Sequence, residues 1–282
     1  MKRLVVIGYP IKHSLSPPMQ NAALKALGLE NEFVYEKLEV KPGKVAEFAE
    51  TIRSGEIIGA NVTIPHKVEM FNTVDEKSRE AELIGAVNTV SIVSNLLVGH
   101  CTDGIGCLNS LKEEHVKYEG KRILIIGAGG AARAIAFTLA INDVLKITIL
   151  NKNVSKAKSL AKEVSEKTGA NTFSGGLDKL RDALNEANIV IHCTPVGMKH
   201  NSEGKSLISA DMLLPETVVM DIVYNPIKTK LLEEAQKAGC KTIDGTGMLV
   251  HQGAVGFEIW TGKEAPIEVM REALIKVMED AL

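Results

Sequence analysis

The chain has 282 residues, with 33 Lys and Arg against 35 Asp and Glu for a net charge of −2, and 45% hydrophobic residues. That hydrophobic share supports a packed core and excludes disorder as a global description. The balanced charge lacks the basic excess that coats nucleic acid or an anionic membrane surface, and at ~150 residues per domain the length allows about two domains.

Short β-rich runs alternate with helical stretches, the pattern of an α/β chain. Strands are predicted at 4–7, 33–38 and 58–63, with helices at 18–27 and 44–52. Residues 87–93 and 96–100 read as a hairpin around Ser94-Asn95, and 104–118 as a helix leading into a second unit. That unit opens on Arg122-Ile123-Leu124-Ile125-Ile126, a continuous apolar run suited to a parallel strand buried on both faces. Helix 130–141, strand 147–150, helix 155–166, strands 189–193 and 218–223, helix 229–238 and a short strand at 242–243 follow. From Val250 on the chain returns to helix, and Ile267, Met270, Leu274, Val277 and Met278 recur at helical spacing. That stripe reads as core, and the last helix is expected to dock on the N-terminal domain. Without a Pro/Ser-rich linker, the two domains are expected to be tightly joined around a cleft.

The strongest local signal is Gly127-Ala128-Gly129-Gly130-Ala131-Ala132, a G-x-G-x-x-A run between a predicted strand and a predicted helix. Gly127 permits a tight turn, Gly129 lets backbone approach a pyrophosphate, and Ala132 lets the helix lie close to the strand. The helix N-terminus then offers N–H groups and a partial positive charge to phosphates. NAD sites usually place an acid ~20 residues on, against the ribose 2′-hydroxyl. Here the second strand runs into Asn151-Lys152-Asn153, with no acid. Lys152 attracts a 2′-phosphate that a carboxylate would repel, so NADP is favoured.

Three polar segments precede that unit. In Gly8–Pro17, Ser14 or Ser16 reads first as a helix cap, although two close hydroxyls also suit a polyol or carboxylate. In Asn61–Lys67, Asn61 and Thr63 share a side if the strand continues, and Lys67 falls in the first turn of a helix, where it opposes the helix dipole. No stability rule selects a lysine there, which marks it for function. In Thr102–Gly106, Asp103 is the acid, and by itself it reads as a helix N-cap.

Cys101, Cys107, Cys193 and Cys240 form no C-x-x-C pair, and the His residues form no H-E-x-x-H motif. Reduced thiols, no metal and a cytoplasmic location are expected. The run Leu4–Ile7 is too short for a signal peptide, and no ~18-residue apolar stretch is available to span a bilayer.

Taken together, these segments resemble the shikimate dehydrogenase family along the whole chain. The resemblance rests on Gly8–Pro17, Asn61–Lys67, Gly85–Thr89, Thr102–Gly106, Gly127–Ala134, Thr194–Met198, Asp221–Tyr224, and Gly247–Val250 with Gln252. It implies an NADP-dependent oxidoreductase acting on a CH–OH group, reversibly reducing 3-dehydroshikimate to shikimate on the route to chorismate and the aromatic amino acids. The implied fold is an N-terminal α/β substrate domain, residues 1–103 completed by 250–282, with a Rossmann-type doubly wound NADP domain, 104–249, inserted. Lys67 and Asp103 match the family's catalytic pair. Ser14, Ser16, Thr63, Asn88, Tyr224 and Gln252 match its substrate-binding residues. Gly127, Ala128, Gly129, Gly130 and Ala131 match the cofactor loop, with Asn151 and Lys152 near the adenosine phosphate. Thr194, Val196, Val223, Gly247 and Met248 match the ribose and nicotinamide side. The chain departs from the family in three places. Cys101 and His192 stand where Asn is usual, and Lys152 stands where Arg is usual, keeping the charge without the planar fork. The alternatives are a quinate/shikimate dehydrogenase using NAD or NADP, and a non-catalytic NADP-binding regulator. The presence of both Lys67 and Asp103 counts against the regulator. The partner expected is the small-molecule substrate, with no nucleic acid and no membrane, and a homodimer is left open.

Overall fold

The computed structural model describes residues 1–199 and 201–280. In chain order the first elements are β1 (Lys2–Gly8), α1 (Ser16–Ala26), β2 (Phe33–Glu39), α2 (Val45–Arg53), β3 (Gly59–Val62), α3 (Lys67–Thr73), β4 (Glu76–Lys77), α4 (Arg79–Ile84), β5 (Thr89–Val93), β6 (Leu96–His100) and α5 (Asp103–Glu113). They continue as β7 (Arg122–Ile126), α6 (Gly130–Ala140), β8 (Lys146–Leu150), α7 (Val154–Thr168), β9 (Thr172–Gly175), α8 (Leu180–Glu186), β10 (Ile189–His192), β11 (Val218–Asp221), α9 (Lys230–Lys237), β12 (Lys241–Ile243), α10 (Gly245–Thr261) and α11 (Ile267–Glu279). The chain divides into two compact units, Met1–Gly106 with the segment from Val250 on, and Cys107–Leu249. No helix among the described residues is long and apolar enough to cross a membrane.

The first unit holds a six-stranded mixed sheet in the order β2-β1-β3-β5-β6-β4. β1 runs parallel to both β2 and β3, while β3–β5 and β5–β6 are antiparallel. Leu4, Val5, Val6 and Ile7 are all buried, as a central strand flanked on both edges requires. The β5–β6 turn puts Ser94 and Asn95 at positive φ, which suits a two-residue hairpin loop. The apolar stripe of α11 buries Met270, Leu274 and Met278, and this helix packs against α1 of the same unit.

The second unit is a parallel sheet in the order β12-β11-β10-β7-β8-β9. Numbered within the unit, this is 6-5-4-1-2-3, the doubly wound dinucleotide-binding order. The order reverses between β7 and β10, and open α/β sheets bind ligands outside the carboxyl ends of strands at such a point. Ile123 to Ile126 are essentially inaccessible, with Leu124, Ile126, Val190 and Val219 packed against Leu184, Leu231 and Ala235 of the covering helices.

Several elements differ from expectation. The helix predicted to 118 stops at Glu113, where His115 takes φ of 54° and the chain turns. The strand predicted to Val223 stops at Asp221, and β3 stops at Val62. β4, α4, β9 and α8 were not foreseen. Of these, α4 carried a readable signal, since Ser78 caps it by accepting from the Ala81 N–H and Gly85 ends it at φ of 73°.

If α11 is integral to the first unit, Leu274→Ala, at a site with 0% exposure, destabilises the protein by about 2–5 kcal/mol. Urea unfolding measures this, and an unchanged midpoint would detach α11 from the core.

Candidate active site

The β3–α3 junction places Lys67 as the first residue of α3, and the β6–α5 junction places Asp103 as the first residue of α5. The Lys67 ammonium donates to Asp103 Oδ2 in an ion pair whose side chains keep 18% and 8% of their exposure. Asp103 is not merely a helix cap, because its other oxygen, Oδ1, accepts from Asn88 Nδ2 at 2.9 Å. Asn88 also donates to Thr102 Oγ1 at 2.9 Å and accepts the Thr102 N–H at 2.7 Å. Thr102 donates its hydroxyl to the Gln252 carbonyl at 3.0 Å, and Gln252 Oε1 lies 3.4 Å from Asn88 Nδ2. Lys67, Asn88, Asp103 and Gln252 therefore meet in one hydrogen-bonded group with Asn88 as its hub, and Thr102, which sequence reasoning passed over, ties that hub to the Gln252 backbone. Burial is the largest single influence on the Lys67 pKa and pushes it down, but the Asp103 charge, the nearby Cys101 and the hydrogen bond to Asp103 together outweigh it, so the net shift is upward.

Ser16 is the first residue of α1 and Ser14 lies just before its N-cap, Leu15, and no side chain caps the helix. The capping expectation for Ser14 and Ser16 therefore fails. Ser14 Oγ sits 3.4 Å from both the Ser16 N–H and the Ser16 hydroxyl, leaving two hydroxyls grouped at a helix start. One turn on, Gln20 Nε2 donates to the Gly253 carbonyl at 2.9 Å, tying the serine helix to the helix that carries Gln252. Thr63 follows β3, and the Tyr9 N–H donates to the Ile64 carbonyl at 3.1 Å, which brings the Gly8–Pro17 loop alongside it. Asn61 goes the other way. It is buried, accepting from the Tyr35 hydroxyl at 2.5 Å and donating to Thr89 Oγ1 at 3.0 Å, so it serves the core.

Cys101 adjoins this group. Its thiol is pushed up to about 12, by burial first and then by the Asp103 charge. It is a neutral thiol at physiological pH and brings no charge to the pair.

In the second unit Gly127 follows β7 with φ of 119°, and a Cβ there would lie 2.8 Å from the Cys193 carbonyl oxygen. Only glycine fits that turn. A Cβ on Gly129, by contrast, would meet no protein atom within 4 Å. Gly129 is the N-cap of α6, so no side chain caps that helix, and its first turn carries no acid. A cavity of about 520 Å³ opens there, lined by Ala128, Gly129, Asn151, Lys152, Asn153 and Lys156. Two of the six are cationic and none is acidic, so the donor set fits a phosphorylated dinucleotide. Lys156 was missed by sequence reasoning. It lies one helical turn beyond Lys152 (at i+4), and Asn153 fixes that turn by capping α7 through the Lys156 N–H at 3.3 Å.

Thr194 and Val196 follow β10, Val223 and Tyr224 follow β11, and Gly247 and Met248 lie in the first turn of α10. Burial raises the pKa of the Tyr224 phenol.

Three family descriptions cover most of the chain. Residues 6–90 match the shikimate dehydrogenase substrate binding domain, 110–232 match shikimate / quinate 5-dehydrogenase, and 245–275 match the shikimate 5′-dehydrogenase C-terminal domain. The chain belongs to the shikimate dehydrogenase family. The shikimate dehydrogenase (NADP(+)) of Methanopyrus kandleri is 46% identical, over 96% of this chain and 94% of that protein. A crystal structure of a shikimate dehydrogenase in complex with NADP+ superposes with a TM-score of 0.93 at 45% identity, covering 99% of this chain and 96% of the other. The Thermus thermophilus shikimate 5-dehydrogenase in complex with NADP(H) and shikimate gives 0.87 at 35% identity, with 98% and 99% covered. Within the family frame, the Lys67–Asp103 pair belongs to the substrate-binding unit and the glycine turn to the doubly wound unit.

Proposed function

We propose that this chain catalyses the reversible, NADPH-dependent reduction of 3-dehydroshikimate to shikimate, a step in aromatic amino acid biosynthesis, in the cytoplasm. The observation that carries the site assignment is the Lys67–Asp103 ion pair, braced by Asn88, Thr102 and Gln252. NADPH, when bound, supplies the hydride.

The residues of the chain manage the substrate and one proton. As a carbonyl becomes a carbinol, its oxygen gains negative charge. The Lys67 ammonium stabilises that oxygen and donates the proton from Nζ. Asp103 keeps Lys67 cationic and in place and orients the substrate hydroxyl. Ser14 and Ser16 hydrogen-bond the substrate carboxylate, while Thr63, Asn88, Gln252 and Tyr224 bind ring hydroxyls. In the cofactor unit, Gly127 to Ala131 bring backbone N–H groups to the pyrophosphate, with Asn151 beside the adenosine. Lys152 and Lys156 face the 2′-phosphate. Thr194, Val196, Val223, Gly247 and Met248 line the nicotinamide side.

Three outcomes test this reading. Lys67→Ala lowers turnover at least ~100-fold, as expected for loss of an acid–base group, in an assay following nicotinamide absorbance with shikimate and NADP+. Near-normal turnover in the folded variant removes Lys67 from the chemistry.

The second outcome concerns pH. Because the folded-state pKa of Lys67 is raised, the stabilisation from its pairing with Asp103 is fully present below the ordinary lysine value of 10.5 and fades as pH climbs through the raised value. In Asp103→Asn the upward pull of the carboxylate is gone, and burial, the largest influence on Lys67, acts downward. The alkaline limb of kcat/KM for 3-dehydroshikimate then moves toward neutral pH by about one unit or more. An unmoved limb assigns it to another group.

Third, Lys152→Ala and Lys156→Ala each raise KM for NADP+ about tenfold, the size of one charge-assisted hydrogen bond, and change KM for NAD+ much less. Equal effects on both cofactors place these lysines away from the 2′-phosphate.

A further inference from the structure

At the carboxyl ends of β10 and β11 lies a buried polar pair, His192 and Asp221, to which the proposed chemistry gives no part. Asp221, the last residue of β11, is fully buried, and His192, the last residue of β10, retains 2% exposure. His192 Nδ1 is 2.9 Å from Asp221 Oδ1, and His192 Nε2 is 2.5 Å from Thr194 Oγ1. The carboxylate is also filled by the Val223 N–H on Oδ1 at 3.1 Å and by the Thr229 hydroxyl on Oδ2 at 2.7 Å. Thr229 is itself the N-cap of α9. Thr194 Oγ1 already accepts the Val196 N–H at 3.2 Å.

The directions of these bonds follow from what each group can donate. A carboxylate only accepts, so Nδ1 carries the ring proton toward Asp221. In the neutral ring Nε2 is then an acceptor, and the single Thr194 O–H must point at it. With one lone pair holding the Val196 N–H, Thr194 keeps one lone pair for whatever binds beside it. Thr194 sits two residues beyond β10, and the carbonyl of Cys193 abuts the Gly127 turn at the point where the strand order reverses. Dinucleotides bind at that location in such sheets. Thr194 is only half-buried there.

We propose that His192 is a positioning residue for the cofactor, locked by Asp221 as the Nδ1–H tautomer so that Thr194 presents a hydrogen-bond acceptor to a sugar hydroxyl on the nicotinamide side. The same carboxylate anchors Val223, so one buried group orders both segments flanking that side. The opposite tautomer would set a bare Nδ1 lone pair against the Asp221 carboxylate, which only accepts, and would free the Thr194 hydroxyl to present a donor instead. The inference rests on the proposed NADP-dependent activity for its ligand, while the tautomer itself is a property of the free protein.

The test uses the full chain. With ¹⁵N-labelled histidine, the resonance lost in His192→Asn shows a protonated Nδ1 and an unprotonated Nε2. A protonated Nε2 overturns the proposal. The shorter asparagine amide reaches Asp221 but stops short of Thr194, so this variant keeps the buried bond and loses the relay. Its KM for NADP+ rises about tenfold, with KM for shikimate changed less than twofold. Thr194→Val gives the same shift, and the double variant shows no further rise, because one linkage is being removed twice. His192→Gln, whose amide oxygen extends to the Nε2 position, recovers most of the loss. Independent, additive effects, or no rise in KM for NADP+, overturn the proposal. NADPH affinity, read from nicotinamide fluorescence, follows the same pattern without turnover. A wild-type chain that binds NADPH but fails to oxidise shikimate therefore defeats the proposed function and leaves this inference to be judged by binding.

Discussion

An ammonium and a carboxylate largely withdrawn from water are tolerable only as a pair. Each alone carries a desolvation penalty of several kcal/mol, and mutual attraction offsets it only where the remaining lone pairs are also satisfied. Lys67 and Asp103 meet that condition in a particular way. Asp103 spends one oxygen on the ammonium and the other on Asn88, and Asn88 is held in turn by Thr102. The pair thus depends on three turns of chain, after β3, before β5 and after β6, and on α10, which supplies Gln252. A mixed sheet brings those turns to one place because β3 and β5, and β5 and β6, are neighbours in it.

The second unit solves a different problem. A phosphorylated dinucleotide needs donors and cations at its phosphates, and α6 supplies a helix start with no side-chain cap and no nearby acid. Glycine is required at 127 by a left-handed turn against the neighbouring strand, whereas at 129 the protein itself imposes no steric need. A residue that packing would allow to be larger but that remains glycine points to a ligand approaching the backbone. Asp221 repeats in this unit the device seen at Asp103, a single buried carboxylate whose acceptors are filled by groups from several segments.

Much of this was legible in the linear chain because it depends on local periodicity. The apolar runs at Leu4–Ile7 and Ile123–Ile126 declare strands, and the second declares one that is parallel and buried on both faces. The α11 stripe of Met270, Leu274 and Met278 declares a face that must be covered. Lys67 was legible for the opposite reason, as a cation placed against a helix dipole. Elements with little apolar content were not legible. β9 offers one exposed aromatic, Phe173, and α8 buries only Leu180 and Leu184. Ser14 and Ser16 misled, because a serine before a proline-rich helix start is a cap by type, yet neither caps α1.

The sequence by itself determined the two α/β units, the glycine turn, the absence of an acid after the second strand and the family, since each rests on residue types at short spacing. The tertiary structure decided which polar groups are partners. Asn88 with Asp103, Gln252 with Thr102, and His192 with Asp221 are joined across long stretches of chain. Such pairings follow from strand order and from the register at strand ends, and neither leaves a periodic trace in the residues themselves. Lys156 marks the boundary between the two kinds of knowledge. Its charge was visible from the start, but its place beside Lys152 became visible only once the Asn153 cap set the phase of the helix.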